Sequence, residues 1–364
     1  MAQANSAVPI RVVEETPAYW RVVFDYPPFN ILDATIFAGL QDLLLLMDAS
    51  QSLRVVVFES AIRDFYLAHF DLTGKIGNIM SAVGPSGLPI LLDTFVRLTK
   101  SPVVSIAKIC GCVRGGSSEF VLACDMRFAS RENTRLGQPE VGVGVHPGGG
   151  GTERLPNLVG RGRALEIILG ASDFDGDTAE RYGYVNRALP DSELDGFVDA
   201  LARRIASFDR RAIAAAKSLV NQVSLPSTDR LLDAITSFET ALTWPETQQR
   251  VQAVLKRGLQ QDADYEKPNL ARSLKHSCRV PMRQVMSSVI CGRCSTRSSV
   301  GMARSWPMRS PARCIAVFLR TSRPISRAPT PLGPRAGLPV DRAGALSFQP
   351  RIKEASLFRE GGDV

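Results

Sequence analysis

Gly111 to Asp125 reads GCVRGGSSEFVLACD and follows the β-branched run Val103 to Lys108, VVSIAK. A strand that ends in a glycine pair and opens an apolar helix lets another group approach the backbone closely. The free amides of the first helical turn then point at that group, and the helix dipole favours negative charge there. This arrangement can stabilise an oxyanion. Glu119 falls inside the same first turn, so its carboxylate can face the same spot. The plainer reading of these residues is a tight turn at Gly115 and Gly116 with Glu119 complementing the dipole. A phosphate-cradling loop is disfavoured, because no Lys-Ser/Thr pair follows the glycines.

Working outward, Tyr19 to Asp25 (YWRVVFD) and Arg54 to Glu59 (RVVVFE) also read as strands, and Pro102 marks the start of the Val103 strand. Between the first two, Ile36, Phe37, Leu40, Leu43, Leu44 and Met47 recur at helical spacing behind Asp33, a fitting N-cap. This βαβ rhythm implies an α/β fold with a mainly parallel sheet and right-handed crossovers. After about residue 150 the strand signal fades. Segments 161–169, 192–206, 212–222, 228–242 and 246–259 read as helices, and Leu231, Ile235, Phe238 and Leu242 form one apolar stripe.

Two more segments can carry chemistry. Arg135 to Leu155 (RLGQPEVGVGVHPGGGGTERL) places Glu140 21 residues after Glu119 and runs four glycines, Gly148 to Gly151, into a helix. Two carboxylates at one site divide proton work, since proximity and burial push their pKa values apart. The alternative is that Glu140 is a solvated loop acid. Phe65 to Leu72 (FYLAHFDL) lies just past the Arg54 strand, at the carboxyl edge where parallel sheets bind ligands. An amide there can supply a second oxyanion donor, and His69 is either structural or catalytic.

Composition excludes several classes. With 45% apolar and 22% charged residues the chain is globular, and no apolar run approaches the ~20 residues that span a bilayer. Residues 1–270 hold 27 Lys+Arg against 32 Asp+Glu, net −5, while residues 271–364 hold 17 against 4, net +13. The basic pI thus belongs to an Arg-, Ser- and Pro-rich tail, which is expected to be disordered. Its composition also matches an out-of-frame reading of GC-rich DNA. Seven cysteines and a first segment without a basic-then-apolar pattern lead us to expect reduced thiols in a cytoplasm.

Taken together and in order, these segments resemble the enoyl-CoA hydratase/isomerase (crotonase) family over about residues 10–265. The resemblance rests on PPFNILD ending at Asp33, Ala68-His69-Phe70-Asp71-Leu72, and Gly111-x-x-x-Gly115-Gly116 with Glu119 and Cys124-Asp125. It continues through Gly137-Gln138-Pro139-Glu140, Pro147 to Thr152, Gly160-Arg161-x-Arg163-Ala164 and Ala179-Glu180-x-x-Gly183-x-Val185-Asn186. It implies a crotonase-like ββα-superhelix at 1–190, a C-terminal helical oligomerisation region at 191–268 and the tail at 269–364.

The resemblance also implies an acyl-CoA substrate that brings its own CoA, no separate cofactor, no metal, and trimers or hexamers acting in lipid (fatty acid) metabolism. By position, the amides of Ala68 and Gly116 would form the oxyanion hole, and Glu119 and Glu140 would be the catalytic acids. Ala68, His69, Phe70, Asp71 and Gly116 would line the acyl site. Having both acids favours a hydratase, with double-bond isomerisation or thioester hydrolysis as alternatives. A dienoyl-CoA isomerase is expected to carry another acid eight residues after Glu140, where Gly148 stands. The usual glycine is His69 here, a small residue is Phe70, and the third glycine of a triplet is Ser117, so a branched, aromatic or alicyclic acyl group fits the altered loop. Outside the family, the basic tail could bind nucleic acid in a salt-dependent way, although few aromatics interleave with its arginines. Cys278, Cys291, Cys294 and Cys314 give a weak zinc pattern.

Overall fold

The Asp33 carboxylate caps the first helix, accepting from the N–H groups of Thr35 at 2.9 Å and Ile36 at 3.0 Å. The structure is a computed structural model, and it describes residues 9–73, 79 and 81–267. Strands β1 (Ile10–Thr16) and β2 (Tyr19–Phe24) form an antiparallel pair ahead of helix α1 (Ala34–Ala49). Helix α1 buries the six apolar residues that its spacing singled out.

Next come β3 (Val55–Ser60), β4 (Phe65–Leu67), α2 (Ile90–Lys100), β5 (Val104–Ile109), β6 (Cys112–Arg114) and α3 (Gly116–Ala123). They are followed by β7 (Met126–Ser130), β8 (Arg135–Gly137), α4 (Glu140–Val143), α5 (Gly151–Val159) and α6 (Arg161–Gly170). The described chain closes with β9 (Phe174–Asp175), α7 (Gly176–Tyr182), β10 (Arg187–Leu189), α8 (Asp191–Ala206), α9 (Arg210–Ser224), α10 (Thr228–Leu242), α11 (Pro245–Leu255) and α12 (Ala263–Glu266).

These strands build two sheets. The larger runs β1-β2-β3-β5-β7-β10 and is parallel from β2 onward. Five of the six residues of β3 are buried, as a central parallel strand requires. The smaller sheet runs β4-β6-β8-β9, parallel except for β9. The chain therefore steps repeatedly from a strand of the large sheet to a short strand of the small one, and then to a helix. Gly111 makes one such step from β5 to β6 at φ +91°, where a Cβ would sit 2.5 Å from the Asp64 carbonyl carbon. Only glycine fits there.

Helix α3 is buried on every side. Its Phe120 meets Phe24 and Phe58 edge-on at centroid distances of 5.7 Å and 5.2 Å, a geometry that adds ~0.5–1.5 kcal/mol per pair beyond burial. That packing fixes the first turn of α3 rigidly. The described residues belong to one compact unit. The tail at 269–364, its four cysteines and its basic charge lie outside the described residues. Among the described residues no helix is long and apolar enough to cross a membrane.

Candidate active site

Strands β4, β6 and β8 lie side by side, with Cys112 opposite both Phe65 and Arg135. Their carboxyl ends therefore emerge together. Past β4 comes the loop from Ala68 to Leu72, past β6 the Gly115–Gly116 turn into α3, and past β8 the segment Gln138–Glu140. Three separate stretches of sequence thus meet at one place because of strand order.

Glu119 is buried, at 3% exposure. Its Oε1 accepts from the N–H groups of Gly149 and Gly151, each at 2.8 Å. These glycines are required by space. A Cβ on Gly149 would stand 2.7 Å from Glu119 Oε2, and one on Gly151 would stand 3.1 Å from Oε1. Burial pushes the Glu119 carboxyl up to about 7, while the two amide bonds hold it down.

Glu140 stands across from it at the start of α4. A Cβ on Gly115 would lie 3.0 Å from Glu140 Oε1, and Gly115 itself adopts φ +56°. Burial first, and the Glu119 charge second, raise the Glu140 carboxyl well above the usual range. With its amide oriented to satisfy its neighbours, buried Gln138 donates to Glu140 Oε1 and Oε2 at 2.9 Å and 3.1 Å. Gln138 also bonds the buried Tyr184 hydroxyl, which is in close hydrogen-bond contact with Ser118. The reading of the sequence gave Gln138 no role and took Gly149 and Gly151 as part of a run that permits close approach to a ligand or another subunit, without pairing them with Glu119. Their motif positions were visible, but their partners lie in other strands.

The expected oxyanion donor Ala68 is corrected. Its N–H donates to Phe29 O at 3.2 Å and its carbonyl accepts from Arg114 N at 3.0 Å. It is wholly buried and lies outside the cavity wall. Ala68 is in effect a ladder residue that prolongs β4. Two residues on, Phe70 sits opposite Leu32 in an isolated bridge. There Leu32 N–H bonds His69 O and Asp71 N–H bonds Leu32 O. That pattern turns the Phe70 N–H away from Leu32, and it has no acceptor among the described residues. Gly116 begins α3, so its N–H is also free of the helix ladder. A Cβ on Gly116 would lie 3.2 Å from Phe70 Cβ, which shows how closely the two peptides approach. The Phe70 ring packs on Phe37 of α1 at 6.1 Å.

Asp71 is also corrected. It does not line the cavity. Its carboxylate accepts from Thr73 N and Oγ1 and from Gln260 Nε2 at 2.8–2.9 Å, which holds it below the usual range against the opposing effect of burial. His69 does reach the cavity wall, yet both of its nitrogens are taken. Nδ1 faces Phe70 O at 2.8 Å and Nε2 faces Glu266 Oε1 at 3.0 Å. A carbonyl only accepts, so Nδ1 carries a proton. This arrangement excludes His69 as a free base.

The cavity is narrow and lined mostly by apolar side chains with a few polar groups, the lining that small-molecule sites favour. Gly116, Glu119, Glu140 and Phe70 stand on one side, and Ile235, Phe238, Leu242 and Val251 of α10 and α11 close the other. Gly148 faces Phe238 so closely that a Cβ would stand 2.6 Å from its ring, so no third acid can occupy that position. Two raised acids, two unspent amides and apolar walls can stabilise a developing oxyanion and move protons beside it. Among the described residues no three His, Cys, Asp or Glu side chains gather to hold a metal.

Comparison with known proteins agrees with this geometry. Residues 17–267 match the family model for enoyl-CoA hydratase/isomerase. The chain is 41% identical over 127 residues to a short-chain-enoyl-CoA hydratase of Clostridium acetobutylicum, covering 35% of this chain and 48% of that protein. It is 39% identical over 137 residues to a crotonyl-CoA hydratase of Syntrophomonas wolfei, covering 38% and 52%. The matched segments thus span about half the length of these curated relatives. A solved structure of a candidate enoyl-CoA hydratase from Streptomyces avermitilis superposes with a TM-score of 0.70 at 42% identity, covering 74% of this chain and 96% of that one. With the ββα steps, the strand-end site and the family match over 17–267 in agreement, the chain belongs to the enoyl-CoA hydratase/isomerase family.

Proposed function

We propose that this protein adds water across the 2,3 double bond of an enoyl-CoA thioester. The observation that carries the reading is a pair of carboxyls, buried Glu119 and half-buried Glu140, in one apolar cavity with the unspent amides of Phe70 and Gly116. The two acids are not equivalent. Two amides stabilise the Glu119 carboxylate, whereas Glu140 is raised by burial and by the Glu119 charge. Glu119 is therefore the first of the pair to ionise, and the proton that the pair then retains resides on Glu140.

Glu119 accepts a proton from water as the water oxygen bonds to C3. The π electrons move onto the thioester oxygen, where the Phe70 and Gly116 N–H groups meet the charge. Glu140 then gives its proton to C2, and the thioester carbonyl re-forms. One proton is gained and one given, so the product is the 3-hydroxyacyl-CoA and the acids reset by a proton exchange with solvent. The CoA portion comes with the substrate, and the apolar wall suits a hydrocarbon acyl group.

Exposed apolar residues on α9, Leu219, Val220 and Val223 at 60–87% exposure, support assembly with further copies of the chain. The test of function is direct. Purified protein is mixed with crotonyl-CoA and with aryl enoyl-CoAs, and the product mass is read. Water addition that disappears in a Glu119→Ala, Glu140→Ala double variant supports the reading. An unchanged mass, release of free thiol, or full activity in the double variant overturns it.

A further inference from the structure

The loop that carries the Phe70 N–H is held from behind by the last described segment of the chain. Glu266 Oε1 faces His69 Nε2 at 3.0 Å and also accepts from Gln260 N at 2.7 Å. Gln260 Oε1 accepts from Leu72 N at 2.8 Å, and Gln260 Nε2 donates to Asp71 Oδ1 at 2.8 Å. Arg114, itself clamped by Asp173 through Nε and Nη2 at 2.7 Å and 2.8 Å, donates from Nη1 to the Glu266 carbonyl at 2.9 Å. His69, Asp71 and Leu72 are thus all tied to residues 260–266.

His69 is the hinge of this arrangement. Nδ1–H fixes the Phe70 carbonyl and Nε2–H meets the Glu266 carboxylate, so only the imidazolium satisfies both contacts at once. We infer that Glu266, acting through His69, is a positioning residue that sets the orientation of the His69–Phe70–Asp71 peptides and so aims the Phe70 N–H at the substrate carbonyl. The inference rests on the donor assignment made under the proposed function. It makes a segment nearly 200 positions away from the loop a part of the site's scaffold.

The charged groups around His69 are Glu266 on α12, Arg114 on β6 and Asp71 in its own loop, with Glu119 and Glu140 across the cavity. Glu266 holds His69 above its ordinary range, against the opposing pull of burial. The contact is complete below that raised value and is lost as pH rises through it. An uncharged imidazole can keep only one N–H, so one of its two acceptors is then abandoned. A glutamine at 266 can offer N–H or C=O to Nε2 and spares the neutral ring that loss.

The experiment uses the full chain with Glu266→Ala and Glu266→Gln. It measures kcat and KM for crotonyl-CoA against pH, and the thioester carbonyl stretch of bound butanoyl-CoA. For Glu266→Ala we expect kcat to fall about tenfold with KM within about twofold, a partial loss of one oxyanion donor, and the carbonyl stretch to move toward its value in water. For Glu266→Gln we expect near-normal kcat at neutral pH and a smaller fall on the alkaline side than in the wild type.

A folded Glu266→Ala protein with wild-type kcat and an unmoved carbonyl stretch overturns the inference. Should that variant fail to fold, a Glu266→Gln pH profile superposable on the wild type overturns it instead. If the wild type does not hydrate crotonyl-CoA at all, the proposed function falls, and the carbonyl stretch alone decides whether Glu266 positions the loop.

Discussion

Replacing Glu119 with glutamine should make the protein slower and, above neutral pH, more stable. The Glu119 carboxyl rises from 4.5 to about 7 on folding, chiefly through burial. A group raised in this way contributes stability that is complete below its unfolded value and lost as pH climbs through the folded one. At ~1.4 kcal/mol per pH unit, the wild type loses about 3 kcal/mol of stability between pH 4.5 and pH 7, because the unfolded chain ionises Glu119 there while the folded protein keeps it protonated. Glutamine keeps a carbonyl oxygen for the Gly149 and Gly151 N–H groups but carries no charge to desolvate. The stability of Glu119→Gln relative to wild type should therefore grow by about 3 kcal/mol across that window and stay level above it. Relief of the repulsion at Glu140 acts in the same direction. Urea unfolding of both proteins at pH 4.5, 6, 7 and 8.5 reads the difference, and the hydration assay should show kcat lower by ~10²–10⁴. A stability difference that does not change with pH, or a variant less stable at pH 8.5 than at 4.5 relative to wild type, would refute the claim that Glu119 is a buried, strained carboxylate.

Gly149→Ala places a methyl 2.7 Å from Glu119 Oε2 and 2.9 Å from Leu91 Cδ2, so steady-state kinetics should show kcat down at least about tenfold, a loss of ~1.4 kcal/mol or more in the transition state. Gln138→Leu strips the donor from Glu140 and the partner from Tyr184. Thermal unfolding should register a loss of ~1–3 kcal/mol for the unsatisfied groups, together with an altered pH–rate profile. Val223→Glu puts a charge at a residue 87% exposed on α9, and native mass should drop to a smaller assembly while the isolated chain keeps its fold.

Much of this site is written locally, and the remainder is not. Asp33 before an i, i+3, i+4 apolar series, and the RVVVFE run that becomes β3, carry their structure in their own periodicity. Glu119 and Glu140 were legible as candidates because each sits in a glycine-framed motif that permits a close approach, while a tight turn and a solvated loop acid fitted the same residues. Strands β4, β6, β8 and β9 have two or three residues each, too few for an alternation to show, so the second sheet was invisible. The donor assignment failed for the same reason. Ala68 and Phe70 both precede the same Asp71 in an apolar loop, and only the pairing with Phe29, Leu32 and Arg114 decides which N–H is already spent. His69 looked ambiguous because its partner Glu266 is 197 positions away, beyond any local pattern.

The most direct test of the central claim is a crystal structure with bound 3-hydroxybutanoyl-CoA. The account predicts the thioester oxygen at ~2.7–3.1 Å from both Phe70 N and Gly116 N, with the 3-hydroxyl against Glu119 and C2 facing Glu140. A thioester oxygen that sits elsewhere in the cavity, away from both of these amides, or a hydroxyl remote from both acids, would contradict it.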